Sequence, residues 1–221
     1  MQCRFACLDN AIELYLSEEY LEYGEQIGVT KWIDFTWMKN AFIVDFLAEE
    51  LSGRGFGAGT ISSYDGFARN MDGSGQEFAL NLYDRAGDKV LQIATMKYTQ
   101  PQSMVTLRDF PLNARDKYHY YQLTNGEIRT MYLDIADCKC KSAAASLCSY
   151  STEQSCAEIL LKIAPLYIAD AMQETALWEL GDGGIYSVYC EERMILHNDA
   201  SLQLADVYAS EDVTYTTALR R

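Results

Sequence analysis

The sequence predicts an α+β domain in which antiparallel strands pack with helices. Three observations support this class: a helical pattern over 33–51, alternating strands between 78 and 150, and further helical sequence over 152–180. Helices before, between and after runs of strands fit this class better than a doubly wound parallel sheet. The 221 residues suffice for one substantial core or two small ones, and we predict a single domain over 1–221.

The N-terminal segment, residues 1–30, is predicted to be helical. Asn10 is a suitable N-cap, apolar and aromatic residues follow at four-residue steps, and Gly24 ends the pattern. We therefore expect a helix over 8–23.

The next helix is predicted from a stripe that recurs at steps of four, three, four and three: Trp37, Ala41, Val44, Ala48 and Leu51. Gly53 ends it. The alternating glycines of 53–59 close a helix instead of opening one, so they favour a C-cap and a tight connection over a dinucleotide-binding loop.

A period of two then predicts strands at 78–82, 89–96, 103–108, 117–123, 127–135 and 143–150. The Asn125-Gly126 pair is typical of a tight hairpin turn, because both residues tolerate positive φ. After these strands, Ser151 and Gln154 form a predicted capping box, and Pro165 is expected to split 152–180 into two helices.

The end of the chain is predicted to close with a hairpin formed by 185–190 and 193–197. The C-terminal tail, 200–221, carries no firm pattern.

Charge and composition exclude some functions. The net charge of -14 opposes binding to phosphate backbones, and no Lys/Arg run offsets it, so we expect no nucleic-acid partner. The apolar runs are shorter than a membrane span, and the first ten residues do not form a signal peptide. We expect a cytoplasmic protein with no membrane association.

The seven cysteines are expected to be free thiols in a reducing compartment. The alternative is a thiolate metal site formed by Cys138, Cys140, Cys148 and Cys156. Their spacing is not a usual zinc pattern, which favours buried, inert thiols.

Three pairs of residues in the second helical region form a recognisable order: Ile33-Asp34, Val44-Asp45 and Glu50-Leu51. This order resembles the FAD:protein FMN transferase (ApbE-like, thiamine-biosynthesis lipoprotein) family. Thr36 and Trp37 stand where the family has two glycines, and Asn40-Ala41 replaces its Lys-Gly. The resemblance implies a divergent, N-terminally short member with the flavin transferase (T-fold-like) architecture.

Further matches follow in the family's order. The stretch 60–66 corresponds to its Asn-x-Gly-Gly-Asp segment, in which Asp65 and Gly66 survive, shifted or replaced around Tyr64. Thr106 begins the stretch that matches its Thr-Ser-Gly-Asp-Tyr. His119 matches its histidine motif. Glu158 stands at a magnesium-site aspartate, but Lys162 replaces the other ligand, a threonine, and an ammonium group has no lone pair to offer a cation.

The resemblance implies a cleft for FAD, FMN or another nucleotide. The residues expected to contact it are Trp37, Lys39, Asn40, Tyr64, Asp65, Gly66 and Thr106. His119 is the candidate acid or base and Glu158 the candidate Mg²⁺ ligand, with half of the metal site lost. Each also has a structural explanation: His119 as a packed strand residue, Trp37 and Tyr64 as core aromatics, and Glu158 as part of a helix ion pair.

Three functions remain open from the sequence. The first is a flavin- or nucleotide-binding relative with degraded catalytic and Mg²⁺ sites. The second is a non-catalytic interaction or assembly module on the same scaffold, with a protein partner or a homo-oligomer. The third is an active FMN transferase that uses FAD and Mg²⁺, with His119 and Glu158 in the site.

Overall fold

A computed structural model describes residues 3–9, 11–26, 28–29, 32, 35–113, 116, 120–122, 124, 128–134, 137 and 139–220. Contacts within the chain divide it into two units, Met1–Phe35 and Thr36–Arg221. The α+β class predicted from the sequence is confirmed. The assignment of 1–221 to one domain stays a prediction.

The first unit contains an antiparallel hairpin, β1 (Cys3–Leu8) and β2 (Ala11–Leu16), followed by α1 (Glu18–Gln26). The prediction of a helix over 8–23 is therefore wrong in its first half. The sequence of β2, Ala-Ile-Glu-Leu-Tyr-Leu, also alternates with a period of two, and cross-strand pairing with β1 selects that period. The helix begins only after Ser17, whose Oγ accepts from the N–H of Tyr20 at 3.4 Å.

The second unit is built on a seven-stranded sheet with strand order β16-β14-β13-β12-β7-β4-β3. Its strands are β3 (Thr60–Ser62), β4 (Phe67–Asn70), β7 (Gln102–Arg108), β12 (Ser146–Ser151), β13 (Tyr186–Glu191), β14 (Met194–His197) and β16 (Thr216–Leu219). All neighbours are antiparallel except β14 and β16. The closing hairpin predicted from the sequence is confirmed as β13 and β14.

A three-stranded antiparallel sheet has the order β15-β6-β5, with β5 (Phe78–Ala86), β6 (Lys89–Tyr98) and β15 (Gln203–Ala205). Two short antiparallel ladders are β8 (Tyr120–Gln122) with β9 (Ile128–Thr130), and β10 (Leu133–Asp134) with β11 (Lys139–Cys140). The predicted Asn125-Gly126 turn lies outside the described residues. The tail without a firm pattern supplies β15 and β16.

The helices of the second unit are α2 (Lys39–Gly53), α3 (Cys156–Tyr167) and α4 (Glu174–Glu179), followed by a 3-10 turn, Leu180–Gly183. Two sequence predictions are corrected here. The capping box of α3 is Ser155 with Glu158, because α3 begins at Cys156, directly after Ser155, whereas Ser151 is the last residue of β12. The division of 152–180 into two helices is confirmed as α3 and α4, but its position is corrected: Pro165 lies in the last turn of α3, which ends two residues later.

Alternation along the central strands buries both faces of the seven-stranded sheet. Val105 and Leu107 of β7 pack in a core with Ala41 and Val44 of α2. Met104, on the opposite face of β7, packs in a second core with residues of β5 and β6. The unit is therefore layered as helices, large sheet and small sheet. No helix among the described residues is long and apolar enough to cross a membrane.

Candidate ligand site at the start of helix α2

Two predicted site residues, Asn40 and Asp65, meet where the first turn of α2 faces the connection between β3 and β4. Asn40 Nδ2 donates to Asp65 Oδ2 at 2.8 Å, across 25 residues of sequence. The other oxygen of Asp65, Oδ1, is buried and has no hydrogen-bond partner among the described residues. The carboxylate is thus held by one neutral donor and retains acceptor capacity.

Gly66 places this connection against β7. Its carbonyl oxygen accepts from the N–H of Thr106 at 2.8 Å, and its φ is +104°. A Cβ at this position would lie 2.2 Å from the carbonyl oxygen of Thr106. Only glycine allows both the left-handed backbone and the close approach. Asp65, Gly66 and Thr106 therefore lie together at one corner.

Trp37 lies beside this corner and is partly buried. Its ring packs edge-on against Tyr132, with centroids 5.3 Å apart, and it borders the helix-side core. With Asp65, Arg108 and Asp116 it lines a cavity of about 20 Å³, which has room for about one water molecule. Burial raises the pKa of Tyr132 to about 12. The indole is thus placed as a core aromatic here.

A buried ion pair that sequence reasoning missed supports the same corner. Arg108 Nη2 lies 3.0 Å from Asp116 Oδ2 and donates to the carbonyl oxygen of Tyr64 at 2.9 Å. Asp116 Oδ2 also accepts from the N–H groups of Leu112 and Asn113, at 2.7 and 3.2 Å. The one sequence signal was an arginine at the end of an otherwise uncharged strand, which requires a partner for its charge where the strand is buried.

A shallow groove of about 180 Å³ runs beside the corner, between α2 and the β3–β4 connection. Its lining residues are Asn40, Ile43, Val44, Leu47, Ile61, Ser62, Ser63, Tyr64 and Asp65. Tyr64 is 61% exposed, which leaves its ring accessible to a ligand. Lys39 is exposed in the first turn of α2, and the N-cap residue, Met38, makes no side-chain cap hydrogen bond. The N-terminal N–H groups of α2 are therefore not capped by that side chain.

The candidate metal ligand, Glu158, does not line the groove. Glu158 is exposed, and its Oε2 accepts from the N–H of Ser155 at 2.8 Å. That hydrogen bond lowers the pKa of Glu158. No group of three or more His, Cys, Asp or Glu side chains suited to a metal occurs among the described residues. His119 lies outside them. The roles of Glu158 and His119 stay predictions.

Asp45 forms a second buried polar contact that the sequence pattern did not predict, because its position on the helical wheel suggests an outer face. Its side chain is buried, and its two oxygens accept from the N–H groups of Cys156 and Ala157 at 2.9 and 2.8 Å. Arg69 Nη1 lies 3.6 Å away. Asp45 thus joins α2 to the first turn of α3, where a negative charge also complements the helix dipole.

These elements define an α+β scaffold with a polar corner and an open groove at the start of α2. The fold is similar to that of an ApbE protein from Thermotoga maritima, known from its crystal structure, with a TM-score of 0.54. The sequences are 14% identical, and the match covers 79% of this chain and 51% of the other. The chain thus spans about half the length of that protein. No family model and no curated protein matches the sequence. At this identity the likeness shows the fold.

Proposed function

We propose that this protein binds a flavin or another nucleotide in the groove beside α2 and does not transfer it. One observation carries the proposal. Asn40, Asp65, Gly66 and Thr106, which come from three separate segments, meet at one corner of a scaffold that is similar to an ApbE protein. In the sequence, these positions are the ones that correspond to the ligand motifs of the flavin transferases.

The groove offers distinct surfaces to distinct parts of such a ligand. Ile43 and Leu47 are 46% and 41% exposed, and with Tyr64 they present apolar and aromatic surface to a ring. Lys39 and the N–H groups at the start of α2 favour a phosphate. A volume of about 180 Å³ is below the usual range for an enclosed ligand, so the remainder of the ligand would lie in solvent.

Two substitutions support binding without transfer. Asn40, an uncharged amide, stands at the position of the family's lysine, and its side chain is engaged with Asp65. Glu158 accepts a hydrogen bond in the α3 capping box. Phosphoryl transfer depends on cations that neutralise charge at the reacting oxygens. Asn40 orients Asp65, and Glu158 caps α3, so neither side chain places a cation at the reacting oxygens.

Titration of FMN and FAD, followed by quenching of flavin fluorescence, tests the proposal. We expect saturable quenching with the wild-type protein and at least tenfold weaker binding for Asp65→Ala and Asn40→Ala. Asp88→Ala, a change of the same kind in the exposed β5–β6 turn, is the matched control and should bind as the wild type does. A wild-type protein that quenches neither flavin contradicts the proposal. Release of AMP from FAD in the presence of Mg²⁺ and a threonine peptide would instead show a transferase.

A second candidate function, an interaction module, is favoured by the outer face of α2. Phe42, Ile43, Phe46 and Leu47 are between 41% and 60% exposed. Adjacent apolar side chains at this exposure are typical of protein contact surfaces. Light scattering coupled to size exclusion tests it: a dimer that Phe46→Lys converts to a monomer supports the module, and a monomeric wild type with no co-purifying protein opposes it.

A further inference from the structure

A cavity between the two sheets of the second unit lies away from the groove at α2. Its volume is about 340 Å³, which is within the range of small-molecule sites. Residues of β6 and of the segment before β15 line one side, and residues of β7, β12 and β13 line the other. Gln102 in its wall and Thr106 at the corner are four residues apart on β7, so the two places are separated by about 13 Å along the strand.

The charged groups in the cavity wall leave one negative charge in excess. The charged lining residues are Glu77, Lys97 and Asp199. Lys97 Nζ lies 2.8 Å from Glu77 Oε1, so these two compensate each other. Asp199 forms no ion pair within the described part of the chain, and His197 Nδ1 contacts its main-chain oxygen and not its carboxylate. A cation in the cavity therefore gains a counter-charge, whereas an anion is repelled.

The hydrogen bonds of Asp199 indicate which kind of cation fits. Its Oδ2 accepts from the hydroxyl of Tyr150 at 2.8 Å, and its Oδ1 accepts from the N–H and Oγ of Ser201, both at 2.7 Å. Burial and the hydrogen bond to Asp199 raise the pKa of Tyr150, so its hydroxyl stays protonated and donates. A carboxylate has about four acceptor sites, so roughly one remains. Asp199 thus offers charge more than acceptor capacity, which suits a quaternary ammonium ion, because that ion has no N–H to satisfy.

Aromatic side chains provide the second feature that such an ion requires. Three tyrosines, Tyr98, Tyr150 and Tyr186, line the cavity. The rings of Tyr150 and Tyr186 have centroids 6.0 Å apart and lie at an angle of 38°. Phe78, which is not in the wall, stacks on Tyr98 at 5.8 Å and supports that ring. Aromatic rings attract cations through their negative faces, and clusters of them are used to recognise quaternary ammonium groups.

We propose that this cavity binds a quaternary ammonium group, with its charge beside the Asp199 carboxylate and its methyl groups against the tyrosine rings. The excess negative charge selects a cation, and the occupied acceptor sites of Asp199 select one without N–H groups. This site is separate from the groove at α2 and does not depend on the function proposed for it.

Choline is the probe, and dimethylbutanol, in which a carbon atom replaces the nitrogen, is its neutral isostere. Isothermal titration calorimetry should show saturable binding of choline by the wild-type protein. Dimethylbutanol and ethanolamine, the primary ammonium analogue, should each bind at least tenfold more weakly. Absence of choline binding, or equal binding of the isostere, would overturn the proposal. Ethanolamine that binds as tightly as choline would overturn the quaternary class.

Substitution of Asp199 tests the role of its charge. Asp199→Asn keeps the shape of the side chain and should weaken choline binding at least tenfold, with dimethylbutanol binding unchanged. Asp88→Asn, the same change in the exposed β5–β6 turn, is the matched control and should bind as the wild type does. A folded Asp199→Asn protein, checked by far-UV circular dichroism, that binds choline normally would overturn the proposal.

Two further substitutions leave Asp199 intact. Lys97→Met removes the positive charge that compensates Glu77, so choline should bind at least twofold more tightly, whereas Lys89→Met, at an exposed lysine outside the wall, should have no effect. Tyr186→Phe keeps an aromatic ring and should retain binding, and Tyr186→Leu should weaken it. Weaker binding by Lys97→Met, or equal binding by the two Tyr186 variants, would contradict the assignment.

The last measurements identify the source of the group and separate this cavity from the groove. Choline titration and cosedimentation with phosphatidylcholine vesicles distinguish a free solute from a lipid headgroup, and either supports the site if Asp199→Asn abolishes it. Asp199→Asn should leave flavin quenching unchanged, so the two sites fail independently. Loss of choline binding in Asp65→Ala but not in Asp199→Asn would place the probe in the groove and would overturn the proposal.

Discussion

Replacement of Asp45 by alanine tests whether one carboxylate joins α2 to α3. Asp45 Oδ1 and Oδ2 accept from the consecutive N–H groups of Cys156 and Ala157. Cys156 is 0% exposed, so its N–H cannot turn to water after the change. The capping box of Ser155 serves the N–H of Glu158, one position further along, and does not replace the lost acceptors.

The expected loss follows from these contacts. Hydrogen bonds to a charged acceptor contribute about 1.5–3 kcal/mol each, and a buried donor left unpaired costs about 1–3 kcal/mol. The favourable interaction with the helix dipole adds about 0.3–1 kcal/mol. Because Ala157 is partly exposed, water recovers a share of its bond. We expect Asp45→Ala to lower the free energy of unfolding by about 3–5 kcal/mol.

Urea denaturation followed by tryptophan fluorescence and far-UV circular dichroism measures this change. With a slope of about 3 kcal/mol/M, the midpoint should fall by about 1–2 M. Asp45→Asn keeps the shape and one acceptor oxygen, so its loss should be intermediate. Asp88→Ala, in an exposed turn, should stay within about 0.5 kcal/mol of the wild type. A loss below about 1 kcal/mol for Asp45→Ala would refute the assignment of Asp45 as the joint between the helices.

Three further predictions concern the corner and the buried side chains. In thermal melts, Gly66→Ala should lower the stability of the protein by more than about 2 kcal/mol, because its Cβ meets a carbonyl oxygen. Gly87→Ala, at a position with positive φ but open space, should lower it by about 1 kcal/mol. Equal losses for the two variants would contradict this reasoning. Iodoacetamide with peptide mapping should label exposed Cys140 in the folded protein and spare Cys156, where burial raises the pKa to about 12; early labelling of Cys156 would contradict it. Burial also raises the pKa of Tyr132 to about 12, so this hydroxyl ionises first in the unfolded state, and the free energy of unfolding falls from about pH 10 upward. Denaturation curves at pH 9 and 11 should show a smaller fall for Tyr132→Phe than for the wild type.

Local patterns predicted those parts of the fold in which one periodicity dominates. The stripe of α2 and the alternation of β5, β6 and β7 were readable because burial repeats along each element. Residues 11–16 satisfied two periods at once, and only pairing with β1 decides between them. β15 and β16, of three and four residues, are too short to carry a pattern and are defined by their neighbours β6 and β14.

The candidate site shows the same division between local and long-range information. Asp65 and Gly66 could be named as candidate site residues from the order of the motifs, and a positive φ beside a carbonyl oxygen explains why glycine is required at position 66. The partners of Arg108 could not be predicted in this way. They are the carboxylate of Asp116 and the carbonyl oxygen of Tyr64, which lie outside β7, and pairing of buried polar groups is a property of the folded chain.

In helix α2, the residue that contacts the groove and the residue that stabilises the fold lie in different turns. Asn40, in the first turn, donates a hydrogen bond to Asp65 at the corner beside the groove. Asp45, about 7.5 Å further along the helix axis, accepts hydrogen bonds from the first turn of α3 and lies beside Arg69. If the groove binds the ligand, Asn40→Ala weakens flavin quenching and lowers the urea midpoint less than Asp45→Asn does. Asp45→Asn should leave flavin quenching unchanged at temperatures where it stays folded. A parallel loss of both properties in both variants would mean that the start of α2 serves the fold alone, and the exposed apolar face of the helix would then be its remaining functional surface.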